Sequence, residues 1–309
     1  MTTSRVPNLL IAGVTKAGTT ALFGYLGQHP QICPERLQES SSFVDRDDEG
    51  EPEPLGEYGD QFAHCRDEKY LLKASPSYFG RGPRFVSAVR GTLREPRVLV
   101  TLREPVDRLW SSYKMKRSKG HFRAEVTFED FVERCLAVRA SGEVWRPENQ
   151  VYRALSTGFY ADYIDDWLDV FGDHLRVLFF EQWSADPAAA LAGLCQWLRI
   201  DPQPTGGFDY SVRNRGVMHR SAVLRRIGSS VNRAGALFLR RRPRLKTALA
   251  GVYERVNAVE FADTMAPATR QGLQALYEEP NTRLANRLAA RGYQQLPAWL
   301  GGAARQRSG

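Results

Sequence analysis

Residues Asn8 to Val14, NLLIAGV, form a short apolar run that stops at Gly13-Val14-Thr15-Lys16-Ala17-Gly18-Thr19-Thr20. Helical sequence follows from about Thr19 to Gln28. A strand, a Gly/Thr-rich turn and a helix in that order open a phosphate-binding α/β unit. Gly18 permits a tight turn and close backbone approach to a ligand. The amides after it point outward at a helix N-terminus, where the dipole also favours an anion. Lys16 adds a point charge, and Thr19 and Thr20 add hydroxyl donors. The loop is not GxxxxGK[ST], which puts Lys directly after the last Gly; here Lys16 precedes Gly18. No Ser or Thr therefore follows a Lys to hold magnesium. An ordinary turn of the same composition is the plainer alternative.

The rest of the chain repeats the alternation. Apolar runs at Tyr70–Lys73, Arg97–Leu102 and Leu175–Phe180 are separated by helical patterns. These patterns cover Pro83–Leu93, Pro105–Ser118, Phe128–Ala140, Tyr160–Phe171 and Pro187–Leu198, and a long helical stretch, about Ala266–Arg291, follows near the end. Strands alternating with helices imply an α/β fold, a P-loop-type parallel sheet with helices on both faces. With 309 residues, 42% hydrophobic and 25% charged, one domain over 1–309 is expected, and whole-chain disorder or a fibrous structure is excluded. No stretch approaches the apolar length of a membrane span.

A second basic motif is Leu102-Arg103-Glu104-Pro105, continuing to Ser111 and Tyr113. Arg103 sits where a parallel strand ends, the usual ligand edge of such sheets. Arg offers a fork of donors to a phosphate, and Ser a hydroxyl. Arg103 as a local salt-bridge partner is the bland alternative. Together with the first loop, the motif suggests two anion sites across one sheet edge, fitting a ligand phosphorylated at two ends. The formal charge of +8 agrees with an anionic partner without choosing one.

These residues resemble the sulfotransferase family, nearest to its heparan-sulfate and carbohydrate branch with bacterial relatives. Gly13 through Leu22, with His29-Pro30, resembles the family loop for the 5′-phosphosulfate of PAPS (3′-phosphoadenosine 5′-phosphosulfate). Leu102 through Tyr113 resembles the 3′-phosphate motif, whose binding pair falls on Arg103 and Ser111. Ser75-Pro76-Ser77-Tyr78-Phe79 resembles a TPxY-type segment, Tyr160–Trp167 a helix beside the cofactor, and Glu278-Glu279-Pro280-Asn281 the start of the last helix segment. Asn214-Arg215-Gly216 resembles a late basic loop over the 3′-phosphate, so Arg215 and Gly216 join the expected binding set.

The resemblance implies in-line sulfuryl transfer from PAPS to a hydroxyl, or less readily an amine, with adenosine 3′,5′-bisphosphate leaving. Lys16 would be catalytic as well as binding, with Ala17, Gly18, Thr19 and Thr20 around the 5′-phosphate. Glu39 is the best match to the family's base, although its spacing to Phe43 is one longer than the family's. Glu35 is a weaker candidate. The family's Glu-Lys before the TPxY segment is Lys73-Ala74 here. No metal is required. The acceptor is expected to be a carbohydrate, glycolipid or specialised metabolite.

A P-loop kinase or other nucleotide phosphotransferase is the rival enzyme reading, and a basic nucleic-acid binder the rival non-enzyme reading. The segment Ser211–Tyr253 carries 11 Lys or Arg and no acid. It reads as helices with a solvated basic face, or as a lid or groove for anionic ligand or lipid headgroups, so peripheral membrane contact stays open. The acidic Asp45–Asp60 reads as a solvated loop or one bordering the acceptor. Cys33, Cys65, Cys135 and Cys195 form no CxxC pair and no zinc-ligand cluster. They read as incidental or buried thiols, and the family's disulfide near its C-terminal loop is absent. A cytoplasmic, reducing setting is expected.

Overall fold

Along the first strand, β1 (Leu9–Gly13), side chains alternate between two buried clusters. Leu10 and Ala12 enter one, Leu9 and Ile11 the other. A strand buried on both faces belongs at the centre of a parallel sheet. The computed structural model puts it there. The other strands are β2 (Ile32–Pro34), β3 (Tyr70–Ala74), β4 (Arg97–Leu102) and β5 (Leu175–Phe179). Their order is β2-β3-β1-β4-β5, and every neighbouring pair is parallel. The structure describes residues 6–36, 61–93, 95–123, 125–211, 218–219, 258–259 and 264–301.

The helices follow in chain order. They are α1 (Thr19–Leu26), α2 (Pro83–Leu93), α3 (Pro105–Lys119), α4 (Phe128–Ala140) and α5 (Ile164–Phe171). After them come α6 (Phe180–Ala185), α7 (Pro187–Leu198), α8 (Pro267–Ala290) and α9 (Ala298–Gly301). One sheet face is covered by α1 and α7 through Leu22, Leu26, Leu191 and Leu198. The other is covered by α2, α5 and the end of α8 through Phe85, Trp167 and Leu284. A third cluster joins α3, α4 and the first part of α8 around Tyr113, Phe131 and Tyr277. The expected α/β class with helices on both faces is what the chain adopts.

Local chemistry sets the boundaries. Pro105 opens α3, where its missing N–H costs nothing, and the Glu104 carboxylate caps it by accepting from the Asp107 N–H at 2.6 Å. Thr127 and Asp130 form a reciprocal capping box at α4. The helix expected over Tyr160–Phe171 is divided. Tyr160–Asp162 is a 3-10 turn and α5 begins only at Ile164. The buried Tyr160 hydroxyl donates to the Arg103 carbonyl at 2.7 Å, anchoring the turn to the end of β4. Two elements carried too few residues for periodicity to register: β2, at three residues, and α6, at six.

The cysteine expectation needs correction. Cys33, in β2, and Cys65 form a disulfide, with Cα atoms 5.8 Å apart. The sequence separation of 32 hid the pairing. It arises because the turn after residue 60 folds against the sheet edge, with the Arg36 N–H donating to the Gln61 carbonyl at 3.1 Å. Cys135 and Cys195 are free and buried, as expected.

Candidate active site

The loop between β1 and α1 is held by its neighbours in sequence-specific ways. Lys16 and Gly18 both take the left-handed conformation, with φ of 72° and 80°. Gly18 is the N-cap of α1 and brings no capping side chain. The first amides of a helix lack intrahelical acceptors, so an uncapped N-terminus presents them to a ligand. A Cβ on Gly18 would lie 2.4 Å from the Trp183 ring and 2.8 Å from Phe180. Glycine is therefore required twice, by φ and by space.

Beneath the loop, the Trp183 indole N–H donates to the Thr101 hydroxyl at 2.9 Å, and that hydroxyl donates to the Ala17 carbonyl at 3.0 Å. The Val14 N–H donates to the Thr101 carbonyl at 2.9 Å. The last turn of β4 thus fixes the loop from below, and α6 fixes it from the side.

The second motif meets the first. Arg103 Nη1 donates to the Lys16 carbonyl at 3.2 Å, and its guanidinium lies 4.7 Å from the centre of the Phe180 ring. Arg103 is thus beside the loop, as the two-site reading of the sheet edge required, and no acidic partner is needed to explain its position. Ser111 lies half-buried on α3. Lys114, further along α3, has its pKa lowered by burial and then by Arg103, which puts a second cation in the same field. Sequence reasoning passed over Lys114, although its spacing of three from Ser111 was visible.

Other expected residues divide clearly. Lys16, Ala17, Gly18, Thr19, Thr20 and Arg103 gather at this edge, and Ser111 stands on α3, eight residues after Arg103. Glu39, Arg215, Gly216, the acidic stretch at 45–60 and most of the basic stretch at 211–253 lie outside the described residues. Glu35 and Lys73 form an ion pair at 3.1 Å with both side chains fully buried. The other Glu35 oxygen accepts from the Ala74 N–H at 3.1 Å. His29 is buried in its turn, its Nδ1 accepting from the Gln31 N–H at 3.1 Å.

A cavity of about 270 Å³ opens on the other side of the loop, beside Val14 and Thr15. Ser77, Gly80, Arg108, Lys116 and Arg153 also line it. The Thr15 hydroxyl donates to the Pro76 carbonyl at 3.4 Å, tying loop and TPxY-like segment together at its rim. Arg108 falls within the Leu102–Tyr113 stretch and Lys116 just beyond it, and no spacing in the sequence singles out either. The edge can hold an anion at the α1 N-terminus, a second anion at Arg103, and a further group in the cavity beside them.

Comparison with known proteins agrees with this arrangement. A family model described as a sulfotransferase domain matches residues 6–206. Human heparan sulfate glucosamine 3-O-sulfotransferase 3B1 is 28% identical over 219 residues, covering 69% of this chain and 51% of that protein. Mouse heparan sulfate glucosamine 3-O-sulfotransferase 6 is 30% identical over 204 residues, covering 63% and 53%. The chain spans about half the length of these relatives. A crystal structure of a sulfotransferase from Alicyclobacillus acidocaldarius has the same fold, with a TM-score of 0.63, 22% identity, and coverage of 96% of this chain and 99% of that one. Because the family model covers the loop, the Arg103 motif and all five parallel strands, the chain belongs to the sulfotransferase domain family.

Proposed function

We propose that this protein transfers a sulfuryl group from PAPS to a carbohydrate hydroxyl. The observation that carries the reading is the meeting of Arg103 with the Lys16 carbonyl at 3.2 Å, which joins two basic motifs in one nucleotide site. The relatives named above act on heparan sulfate by name, which supports a glycan acceptor.

The residues fit a nucleotide with phosphates at two ends. The uncapped N-terminus of α1, with Gly18 at φ 80°, suits the 5′-phosphate, and Arg103 and Ser111 suit the 3′-phosphate. The bound nucleotide supplies the sulfuryl group and leaves as adenosine 3′,5′-bisphosphate (PAP). Lys16 neutralises charge growing on the leaving phosphate oxygen. The amides of Gly18, Thr19 and Thr20 hold the phosphate in line, so positioning carries much of the catalysis. Glu39 takes the acceptor proton, a step typically contributing about 10²–10⁴-fold. Arg215 and Gly216 cover the 3′-phosphate. No step asks for a metal. The kinase alternative is disfavoured by Ala17 and Gly18, which stand where a magnesium-binding loop needs Ser or Thr after its Lys.

We also propose the cytoplasmic location expected from the sequence; the Cys33–Cys65 disulfide weighs against it, since cytosolic thiols are mostly kept reduced. The test of function is transfer of label from PAPS to a glycan panel, with Lys16→Ala and Glu39→Gln alongside. Lys16→Ala is expected to lose turnover, and Glu39→Gln to lose turnover while retaining PAP binding. Unimpaired transfer by Glu39→Gln would remove Glu39 as base.

A further inference from the structure

Two sulfurs and an imidazole nitrogen meet at the β2 edge of the sheet. Cys33 lies in β2, and Cys65 follows the turn over 61–64. Both cysteines are buried, and His64 between turn and Cys65 is exposed. His64 Nε2 lies 3.4 Å from Cys33 Sγ and 3.9 Å from Cys65 Sγ. The three ligand atoms all fall within 4.8 Å of one another. In the oxidised chain the same Nε2 donates to the Pro34 carbonyl at 3.1 Å.

These distances are those of a tetrahedral metal site. Zinc bonds of about 2.3 Å to thiolate and about 2.0–2.1 Å to imidazole set sulfur and nitrogen about 3.6 Å apart. The two observed distances lie on either side of that spacing. Two thiolates on one such ion stand about 3.8 Å apart. The Cα atoms of Cys33 and Cys65 are 5.8 Å apart, so rotation about their Cα–Cβ bonds can open the sulfurs that far once the bridge is reduced. The backbone around them has other anchors. β2 is hydrogen-bonded to β3, and the Arg36 N–H donates to the Gln61 carbonyl at 3.1 Å. Phe62 is fully buried, and its carbonyl accepts from the Cys65 N–H at 3.0 Å. Edge strand and turn therefore stay together when the disulfide opens.

We propose that Cys33, Cys65 and His64 bind a thiophilic divalent cation of the zinc type when the disulfide is reduced. A dithiol reductant supplies two electrons and two protons, giving two thiols and becoming a disulfide itself. The cation then takes both sulfurs as thiolates, and their two protons go to solvent. His64 binds through the lone pair of Nε2 with its ring proton on Nδ1, so the hydrogen bond to the Pro34 carbonyl is given up. The charges of cation and thiolates cancel, which suits two buried sulfurs. Solvent completes the fourth position beside the exposed imidazole. Spacing in the sequence concealed the set, because Cys33 comes from a strand 32 residues before Cys65. The site is independent of the sulfotransferase chemistry. Cys135 and Cys195, buried on α4 and α7, take no part in it.

The test is a Co²⁺ titration of the full chain, reduced with a phosphine that is then removed without air. Co²⁺ stands in for zinc and reports its ligands through thiolate-to-metal charge transfer and the strong d–d bands of four-coordination. The reduced chain is expected to bind one Co²⁺ with two-thiolate intensity and to lose the spectrum to added Zn²⁺. The oxidised chain should give no thiolate band. Cys33→Ser should lose the two-thiolate spectrum, and Cys135→Ala with Cys195→Ala should keep it. His64→Ala should keep the charge-transfer band while binding more weakly and with altered d–d bands. The comparison of reduced with oxidised wild type, and the exposed position of His64, free the test from the folding of any cysteine variant. No thiolate band in reduced wild type, the same band in oxidised wild type, or an unchanged titration in His64→Ala would overturn the site. Loss of native circular dichroism on reduction that Zn²⁺ does not restore would overturn it as well.

Discussion

Trp183 hydrogen-bonds Thr101 at 2.9 Å, and through that hydroxyl the sheet reaches the backbone of the phosphate loop. The indole N–H satisfies the hydroxyl's lone pair, leaving the hydroxyl proton for the Ala17 carbonyl. The same ring packs over Gly18, so one side chain fixes both the height of the loop and the direction of the α1 N-terminus.

Trp183→Phe removes the N–H while keeping an aromatic ring. Stability should fall by about 1 kcal/mol from the lost hydrogen bond, and by more if the smaller ring leaves a cavity. PAP affinity should fall several-fold, because the loop loses an anchor. Urea denaturation and calorimetry measure the two effects. Full PAP affinity in the variant would show that the loop holds its shape without Trp183.

Glu35 and Lys73 pair where water does not reach. Removing one partner strands a buried charge, so Glu35→Leu or Lys73→Met alone should cost about 3–5 kcal/mol. The double variant should cost less than the sum of the singles, which a double-mutant cycle in denaturant reads directly. Additive effects would mean that the two groups are stabilised independently by other neighbours.

The cysteines give a prediction by counting. Burial pushes the Cys135 thiol up to about 12 and Cys195 up to about 11, so neither is a nucleophile near neutral pH. Native protein should show no reactive thiol. Denatured protein should show two without reductant and four with it, as Cys33 and Cys65 are released. Cys33→Ser should lower stability by about 3–4 kcal/mol on a loop-closure argument for a bridge spanning 32 residues. Four thiols without reductant would contradict the bridge.

Lys116 links pH to stability, because burial lowers its pKa to about 8. Without ligand, the folded chain holds fewer protons on Lys116 than the unfolded chain does between that value and 10.5. Its contribution to stability therefore rises with pH across the same window. The groups facing it are Arg108 and Lys119 on α3, Cys135 on α4, and Arg153, with His121 on the same cavity. Lys116→Met should flatten the stability profile over that window, read by denaturation at a series of pH values. A wild-type profile as flat as that of the methionine variant would contradict the lowered value.

Much of the fold was legible because its signals are local. The run Asn8–Val14, the turn through Gly18, and Arg103 followed by Pro105 each encode an element boundary within a few residues. The phosphate edge followed because parallel strands carry their ligands where they end. What stayed hidden depends on tertiary placement. Cys33 and Cys65 meet only because β2 is the sheet edge and the chain folds back on it. Arg108 and Lys116 face the same cavity only because α3 packs against the segment around Ala154. Trp183 belongs to the loop only because α6 follows directly from β5. None of these relationships leaves a periodic or motif-like trace in the sequence.

The central claim is that the loop around Lys16 and the Arg103 motif form one site for a nucleotide with two separated phosphates. A titration of PAP and of adenosine 5′-monophosphate into wild type and Arg103→Ala tests it directly. Wild type should prefer PAP about ten- to hundredfold, the worth of charged hydrogen bonds to the 3′-phosphate, and Arg103→Ala should lose that preference while binding the monophosphate as well as wild type does. Equal affinity of wild type for the two nucleotides, or an undiminished preference for PAP in Arg103→Ala, would contradict it.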